Sequence, residues 1–317
     1  MQPREVIVAP ATAHGRAAIA VVRVTGPGTL DVASRVVRPR RPGEWRAGRA
    51  RRVDLVDRDG PIDDGLAVWF AGPRSYTGED LLEVSIHGNP ELVARAVAAF
   101  VDAGARVAHP GEFTRRAVVN GRLDLVRAEG VDQLVRAVGP AGVAVARDAV
   151  SGRLSAALAA VRAAVIELAA ETEARLDFPD DELALTSDAE VLTRLAALER
   201  QVRALADTAR AGRIRVDGAT VALVGPVNAG KSSLFNALLG EVRAIVHPTP
   251  GTTRDRVEAR ARWGTLDVTL VDTAGDRDTD DPVEALGVEL ARAVVQQADL
   301  VVVVVRCRPG GLDPSER

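Results

Sequence analysis

One lysine constrains this chain more than any other residue. Lys231 is the only lysine among 41 Lys and Arg residues, so every other strongly basic side chain is arginine. It lies in Gly225-Pro226-Val227-Asn228-Ala229-Gly230-Lys231-Ser232-Ser233, which fits G-x-x-x-x-G-K-[ST]. A compact ammonium can point into a phosphate cradle where a wide, planar guanidinium cannot. The apolar run Ala219–Val224 precedes the motif as a strand, and Lys231–Leu239 follows it as a helix. This is the context a phosphate-binding loop requires.

The chemistry follows from residue types. Gly225 and Gly230 let backbone N–H groups curl round phosphates, and the helix N-terminus adds positive dipole. Lys231 is placed to contact β and γ phosphates, and Ser232 to offer its hydroxyl to Mg²⁺. Asp272-Thr273-Ala274-Gly275 follows the strand Leu266–Val271. An aspartate at such a strand end holds Mg²⁺ through water, and the Gly275 N–H reaches the γ-phosphate. Between them lies Gly251-Thr252-Thr253-Arg254-Asp255, where a switch loop belongs and Thr253 completes the Mg²⁺ shell. Three elements in this order predict a nucleotide-hydrolysing switch protein. The residue after Gly275 is Asp276, a carboxylate that phosphate repels, rather than a water-orienting glutamine. Arg254 and Arg277 are open as cis fingers or as solvated surface. Asn228 offers a side-chain carbonyl beside the phosphates, where a monovalent cation could sit. Glu284 opens the next helix and could orient water or simply complement the helix dipole.

Composition excludes several classes. The net charge is −3, against a dedicated electrostatic binder of nucleic acid. The chain has five Phe, three Trp and one Tyr, so base-stacking platforms are scarce. The local exception is Arg38–Arg52, with Arg38, Arg40, Arg41, Arg46, Arg49, Arg51 and Arg52, read either as an RNA patch or as a solvated loop. Cys307 is the single cysteine, which suits a reducing, cytoplasmic setting. No apolar run is long enough to span a membrane, and the N-terminus does not read as a signal peptide. His14, His87, His109 and His247 lack zinc-ligand spacing, and His87 reads as a packed or hydrogen-bonded residue.

Three zones are expected within 317 residues: 1–120, 121–215 and 216–317. In the first, Val6–Val8, Ala18–Val24, Gly65–Phe70 and Leu81–Ile86 read as strands, and Pro90–Ala103 as a helix ending at Gly104. In the second, Ser155–Leu176 is a helix stopped at Asp177-Phe178-Pro179. Another helix starts near Ser187-Asp188 and ends at Gly212, with Leu192, Leu195, Leu198, Val202 and Leu205 on one face. In the third, Arg256–Trp263 and Leu266–Val271 form a hairpin around Gly264, Val283–Gln296 is a helix, and Leu300–Val305 is a strand buried on both faces.

Further motifs resemble the MnmE (TrmE) family of bacterial tRNA-modifying GTPases. They are Gly15-Arg16, Val21–Gly26, Ser75–Glu83, His87-Gly88, Pro110–Ala117, Asn120–Leu125, Leu176–Glu182, Asn228–Ser233 and Gly251–Asp255. The resemblance covers essentially the whole chain. It implies a multidomain α/β and α+β architecture: an N-terminal α+β folate-binding dimerisation domain, a helical domain, and a Ras-like P-loop GTPase domain of which this chain holds the first part. It implies a cytoplasmic homodimer. With an FAD-containing partner of the MnmG (GidA) type, it would modify C5 of the wobble uridine (U34) in tRNA, forming a carboxymethylaminomethyl group. It implies binding of GTP and GDP through Asn228–Ser233, His247, Pro248, Thr249, Pro250, Gly251, Thr252, Thr253 and Asp272–Gly275. By the family pattern, Ser232 and Thr253 hold Mg²⁺. Asn228, His247, Thr249 and Thr252 hold K⁺. Glu284 positions water, and Arg23, Glu83 and Arg122 contact 5-formyltetrahydrofolate or a related one-carbon folate. Asp276 stands where the family usually has Leu, Pro226 where Arg is common, and Arg122 replaces a frequent Lys.

The family continues past residue 317 through an Asn-Lys-x-Asp guanine-reading motif and a C-terminal Cys-x-Gly-Lys. The chain is therefore read as a C-terminally truncated member, with 300–305 an exposed apolar strand. On that reading it alone neither hydrolyses GTP efficiently nor modifies tRNA, and saturable K⁺-stimulated hydrolysis would refute the reading. Two other functions stay open. One is a different switch GTPase, such as a ribosome-assembly factor, which would need no folate site. The other is a non-enzymatic folate-binding dimer module, which would lack nucleotide affinity.

Overall fold

The structure is a computed structural model. It describes residues 5–137, 139–177, 187–226, 229–240, 257–272, 296–305, 307–308 and 311–312. The chain divides into two compact units, Met1–Ala128 and Glu129–Arg317.

The first unit is built on a seven-stranded sheet. Its strands are β1 (Ile7–Pro10), β2 (Ala17–Thr25), β3 (Val37–Pro39), β4 (Ala50–Asp57), β5 (Gly60–Phe70), β6 (Leu81–Gly88) and β7 (Arg106–Val107). The order is β3-β4-β5-β6-β2-β1-β7. All neighbours are antiparallel except β1 and β7. Period-two burial follows from the pleat: Ala20, Val22 and Val24 of β2 point inward, as do Leu82, Val84 and Ile86 of β6. Helix α1 (Thr29–Val36) and helix α2 (Pro90–Asp102) supply further core side chains. Asn89 caps α2 by accepting the Glu91 amide, and Pro90 suits the first turn because its missing N–H needs no partner there. Ala96, Ala99 and Phe100 then bury one stripe, and α2 gives way to Gly104 as expected. Helix α3 (Glu112–Val119) follows β7, and α4 (Leu125–Arg136) crosses the division between units.

The arginine-rich stretch is corrected in part. Arg38 lies on β3, and Arg51 and Arg52 on β4, so only the middle of the stretch is a loop. Val53 and Leu55 alternate inward on β4 and are fully buried, which overrides the polar appearance of its first half.

In the second unit, α5 (Pro140–Ser151), α6 (Arg153–Asp177) and α7 (Asp188–Asp217) pack together. The expected 155–176 helix is α6, which begins two residues earlier and ends at Asp177. Helix α7 starts where expected, with Ser187 capping the Glu190 amide. It does not stop at Gly212. A helical glycine costs only about 1 kcal/mol against alanine. Beyond it Ile214 packs on the sheet core, Val216 is buried, and Arg213 pairs with Asp299. The helix ends at Gly218, which has φ 86° and turns the chain directly into β8 (Ala219–Val224).

A four-stranded sheet follows, in the order β11-β8-β10-β9. It contains β9 (Val257–Trp263), β10 (Leu266–Asp272) and β11 (Leu300–Val303). Strands β9 and β10 form the predicted hairpin at Gly264, and β10 and β11 both run parallel to β8. Helix α8 (Lys231–Gly240) anchors through buried Phe235. Strand β11 is not buried on both faces: it lies at the sheet edge among the described residues, with Leu300 and Val303 exposed and Val302 packed on the core. Cys307–Arg308 and Gly311–Leu312 pair as a short hairpin. The expected helix Val283–Gln296 lies outside the described residues up to 295. Among the described residues, no helix is long and apolar enough to cross a membrane.

Candidate nucleotide and folate sites

The candidate nucleotide site sits where two parallel strands end side by side. Asp272, the last residue of β10, is in register with Leu223 of β8, so its carboxylate emerges beside the glycine loop that follows Val224. Gly225 has φ 144°, open to glycine but strained for other residues, and a Cβ there would meet the Val304 carbonyl at 2.1 Å. Strand β11 therefore presses against the loop, and the Val304 amide donates to Val224 O at 2.7 Å. Gly230, at φ 103°, makes the second turn and opens α8, whose first-turn amides face outward with the helix dipole.

Lys231 is 8% exposed. Its Nζ donates to Gly225 O at 2.7 Å and Pro226 O at 2.9 Å. An ammonium has three donors, so these bonds orient the charge across the loop and leave one N–H for an anion. Ser232 Oγ donates to Asp272 Oδ2 at 2.8 Å. The other carboxylate oxygen, Asp272 Oδ1, is buried with no hydrogen-bond partner among the described residues. An unsatisfied carboxylate oxygen beside a serine hydroxyl is a set of hard oxygen donors, and it fits Mg²⁺. The structure thus brings together Lys231, Ser232 and Asp272, with Ala229, Gly230 and Ser233 on the same loop and helix start. Asn228, His247, Pro248, Thr249, Pro250, Gly251, Thr252, Thr253, Thr273, Ala274, Gly275 and Glu284 lie outside the described residues.

The sheet is fixed to its supporting helix by Asp299. Its carboxylate accepts the Thr220 amide at 3.0 Å and pairs with Arg213, while its own amide donates to Thr220 O at 2.9 Å. Burial would push this carboxyl up, but the Thr220 amide and Arg213 hold it below its ordinary value.

The second site is assembled from distant residues of the first unit. Arg23 and Glu83 are direct cross-strand partners on β2 and β6. Arg23 Nε donates to Glu83 Oε1 at 2.8 Å, and the guanidinium lies 6.0 Å from the Tyr76 ring centroid. Arg122 joins through the loop that carries Tyr76, with its Nε donating to Ser75 O at 3.0 Å. A half-exposed guanidinium–carboxylate pair beside an aromatic ring suits a flat heterocycle bearing donors and acceptors.

Sequence reasoning missed how much of the surrounding motif is framework. Thr25 Oγ1 and Thr77 Oγ1 share a buried hydrogen bond of 2.7 Å, and Thr29 donates to Gly26 O. Asn120 donates to Thr77 O, and a Cβ on Gly78 (φ 78°) would press on Asn120 and Arg122. Tyr76 OH bonds Thr114 Oγ1 at 2.9 Å. Beneath the loop, Arg116 bonds Glu79, Glu112 and Glu5 O, and Arg106 bonds Glu112 and Glu5. Arg106 chiefly, against partial burial and with help from the His109 amide and Arg116, lowers the Glu112 carboxyl to about 2. The run of Glu and Arg within 110–117 was the available signal, since buried charges must pair. His87 is hydrogen-bonded, as expected: its amide and Nδ1 both bond Asp63, at 2.8 and 2.9 Å.

Residues 6–122 match the family described as GTP-binding protein TrmE N-terminus, and 220–317 match 50S ribosome-binding GTPase. The tRNA modification GTPase MnmE of Myxococcus xanthus is 45% identical over 98% of this chain and 69% of its own length. Those of Aquifex aeolicus and Thermus thermophilus are 41% and 42% identical, over 95% and 99% of this chain and 67% and 73% of theirs. The chain thus spans about two thirds of the length of these relatives. The glycine loop, the two family matches and this extent of identity agree: the chain belongs to the tRNA modification GTPase MnmE family, whose members hydrolyse GTP.

Proposed function

We propose that this chain carries the nucleotide loop of a GTPase that acts in C5 modification of the tRNA wobble uridine, together with an FAD-containing partner. The Ser232–Asp272 contact, with Asp272 Oδ1 left over, is the observation that carries the reading. Lys231 takes negative charge from the β and γ phosphates, and the glycine-loop amides fix their position. Ser232 and Asp272, with Thr253, hold Mg²⁺, which when bound supplies further charge neutralisation between the phosphate oxygens. Glu284 orients the attacking water, and Asn228, His247, Thr249 and Thr252 hold K⁺. Arg23, Glu83 and Arg122 bind a one-carbon folate. We assign the folate and dimerisation module to 1–120, helices to 121–215 and the G domain to 216–317, and we place the homodimer in the cytoplasm.

The test is Mg²⁺ dependence. A fluorescent GDP analogue should bind the wild type more tightly with Mg²⁺ than with EDTA. Ser232→Ala and Asp272→Asn should erase that difference while leaving the EDTA affinity in place. An equal Mg²⁺ response in all three proteins would contradict the assignment.

A further inference from the structure

The arginine loop between β3 and β4 is used by neither site. Seven arginines and one acid, Glu44, fall between residues 38 and 52. Three of the arginines are engaged. Arg40 pairs with Asp54 and Asp64, and Arg52 reaches Asp64 at 3.5 Å. Arg51 is a pin: it donates to Gly43 O at 2.7 Å and Arg41 O at 2.5 Å, and stacks 5.2 Å from the Trp45 ring centroid. Trp45 in turn packs on the sheet core. The Gly48 amide donates to Trp69 O of β5 at 2.8 Å, fixing the far end of the loop. The remaining four, Arg38, Arg41, Arg46 and Arg49, are exposed and make no ion pair among the described residues.

The neighbouring acids Asp54 and Asp64 are already occupied, so they do not cancel these four cations. A loop held at both ends by side-chain and backbone bonds presents its charges at little ordering cost. Rigid guanidinium forks match phosphate oxygens in pairs. With Trp45 covered by Arg51 and the core, the loop offers charge rather than a stacking face, so it suits a backbone and not bases.

We propose that Arg38, Arg41, Arg46 and Arg49 form a docking surface for the phosphate backbone of RNA. This rests on the tRNA reading above and adds a place where the RNA is held, separate from the nucleotide loop.

The experiment is anisotropy of a fluorescein-labelled, unmodified tRNA transcript titrated with the full chain at several salt concentrations. Wild type is compared with Arg41→Ala/Arg46→Ala/Arg49→Ala, and with a control, Arg162→Ala/Arg200→Ala/Arg203→Ala, that removes equal charge from exposed positions on α6 and α7. Fluorescent GDP binding is recorded for each protein. We expect the loop variant to bind tRNA about tenfold or more weakly at low salt, with the log K against log salt slope shallower by about two to three. The control variant should lose much less, and GDP affinity should be unchanged in all. Equal tRNA affinity and slope in the loop variant and wild type would overturn the docking surface and leave the tRNA reading standing. Wild type that binds GDP but no tRNA would overturn both. Polyglutamate binding as tight as tRNA at matched charge would overturn RNA in favour of an acidic protein partner.

Discussion

The two candidate sites of this chain are assembled by opposite routes. The candidate nucleotide loop is local: backbone amides, two glycines and one lysine between Gly225 and Ser232, with Asp272 bonding Ser232 from outside and Val304 packed against Gly225. The Arg23–Glu83 site is non-local. Its partners are 60 residues apart, and Arg122 reaches Ser75 across 47. A local site needs few residue types in a fixed order and tolerates a varied scaffold. A non-local site depends on strand register and on the framework that holds its loop, so its integrity is tied to the stability of the first unit.

That contrast can be tested, first where the effect is largest. Lys231→Ala should weaken fluorescent GDP binding on the order of a hundredfold, since it removes a charge-assisted contact to phosphate worth about 3 kcal/mol. Folate binding, measured by calorimetry on the same protein, should not change.

Glu112→Gln comes next, and its target is the framework. The folded Glu112 carboxyl lies at about 2 against an ordinary 4.5. A depressed carboxyl stabilises the fold above its unfolded value and loses that contribution as pH falls from about 4.5 to about 2. The variant should lose roughly 2–3 kcal/mol at neutral pH and show a flatter stability profile in that acid window. Thermal melts from pH 7 to pH 2 report both, and GDP affinity serves as the unaffected arm.

Glu83→Gln removes the carboxylate facing Arg23. This pair is half-exposed, so stability should fall by less than about 1 kcal/mol, while folate binding should weaken about tenfold. A large stability loss here would mean that the pair is framework, like Glu112, and not a site.

The smallest effect is expected at His87. Asp63 raises its pKa chiefly through their hydrogen bond. A raised histidine contributes below its unfolded value, near 6.5, and loses the contribution as pH rises through the folded value. His87→Asn should therefore lower Tm slightly at pH 6 and less at pH 8. Because the imidazole is exposed, neither site should respond.

The same contrast explains what the sequence made legible. The glycine loop, Asp272 and the β9–β10 turn at Gly264 could be read directly, because each is a short run whose chemistry is fixed by neighbours in the chain. The α2 start was equally plain, since Asn89 and Pro90 are cap residues. Other features were not legible. Gly212 looked like a stop because the burial of Ile214 and Val216 is a tertiary event. The β4 strand was hidden by Arg51 and Arg52, whose partners, Gly43 O, Arg41 O and Asp64, lie on neighbouring segments that meet β4 only in the folded sheet. Tyr76 and Asn120 belong with Arg23 and Arg122 only after β2, β6 and α3 have been brought together. For Arg23, Glu83 and Arg122, spacing points to no ligand, and the folate proposal rests on resemblance to a family.

The most direct test of the central claim is competition for a fluorescent GDP analogue in Mg²⁺ buffer, using GTP and GMP against wild type and Lys231→Ala. The account predicts displacement by GTP, far weaker displacement by GMP, which lacks the β and γ phosphates that Lys231 faces, and analogue binding reduced about a hundredfold in the variant. Equal displacement by GMP, or a variant that binds as tightly as wild type, would contradict a phosphate site built on this loop.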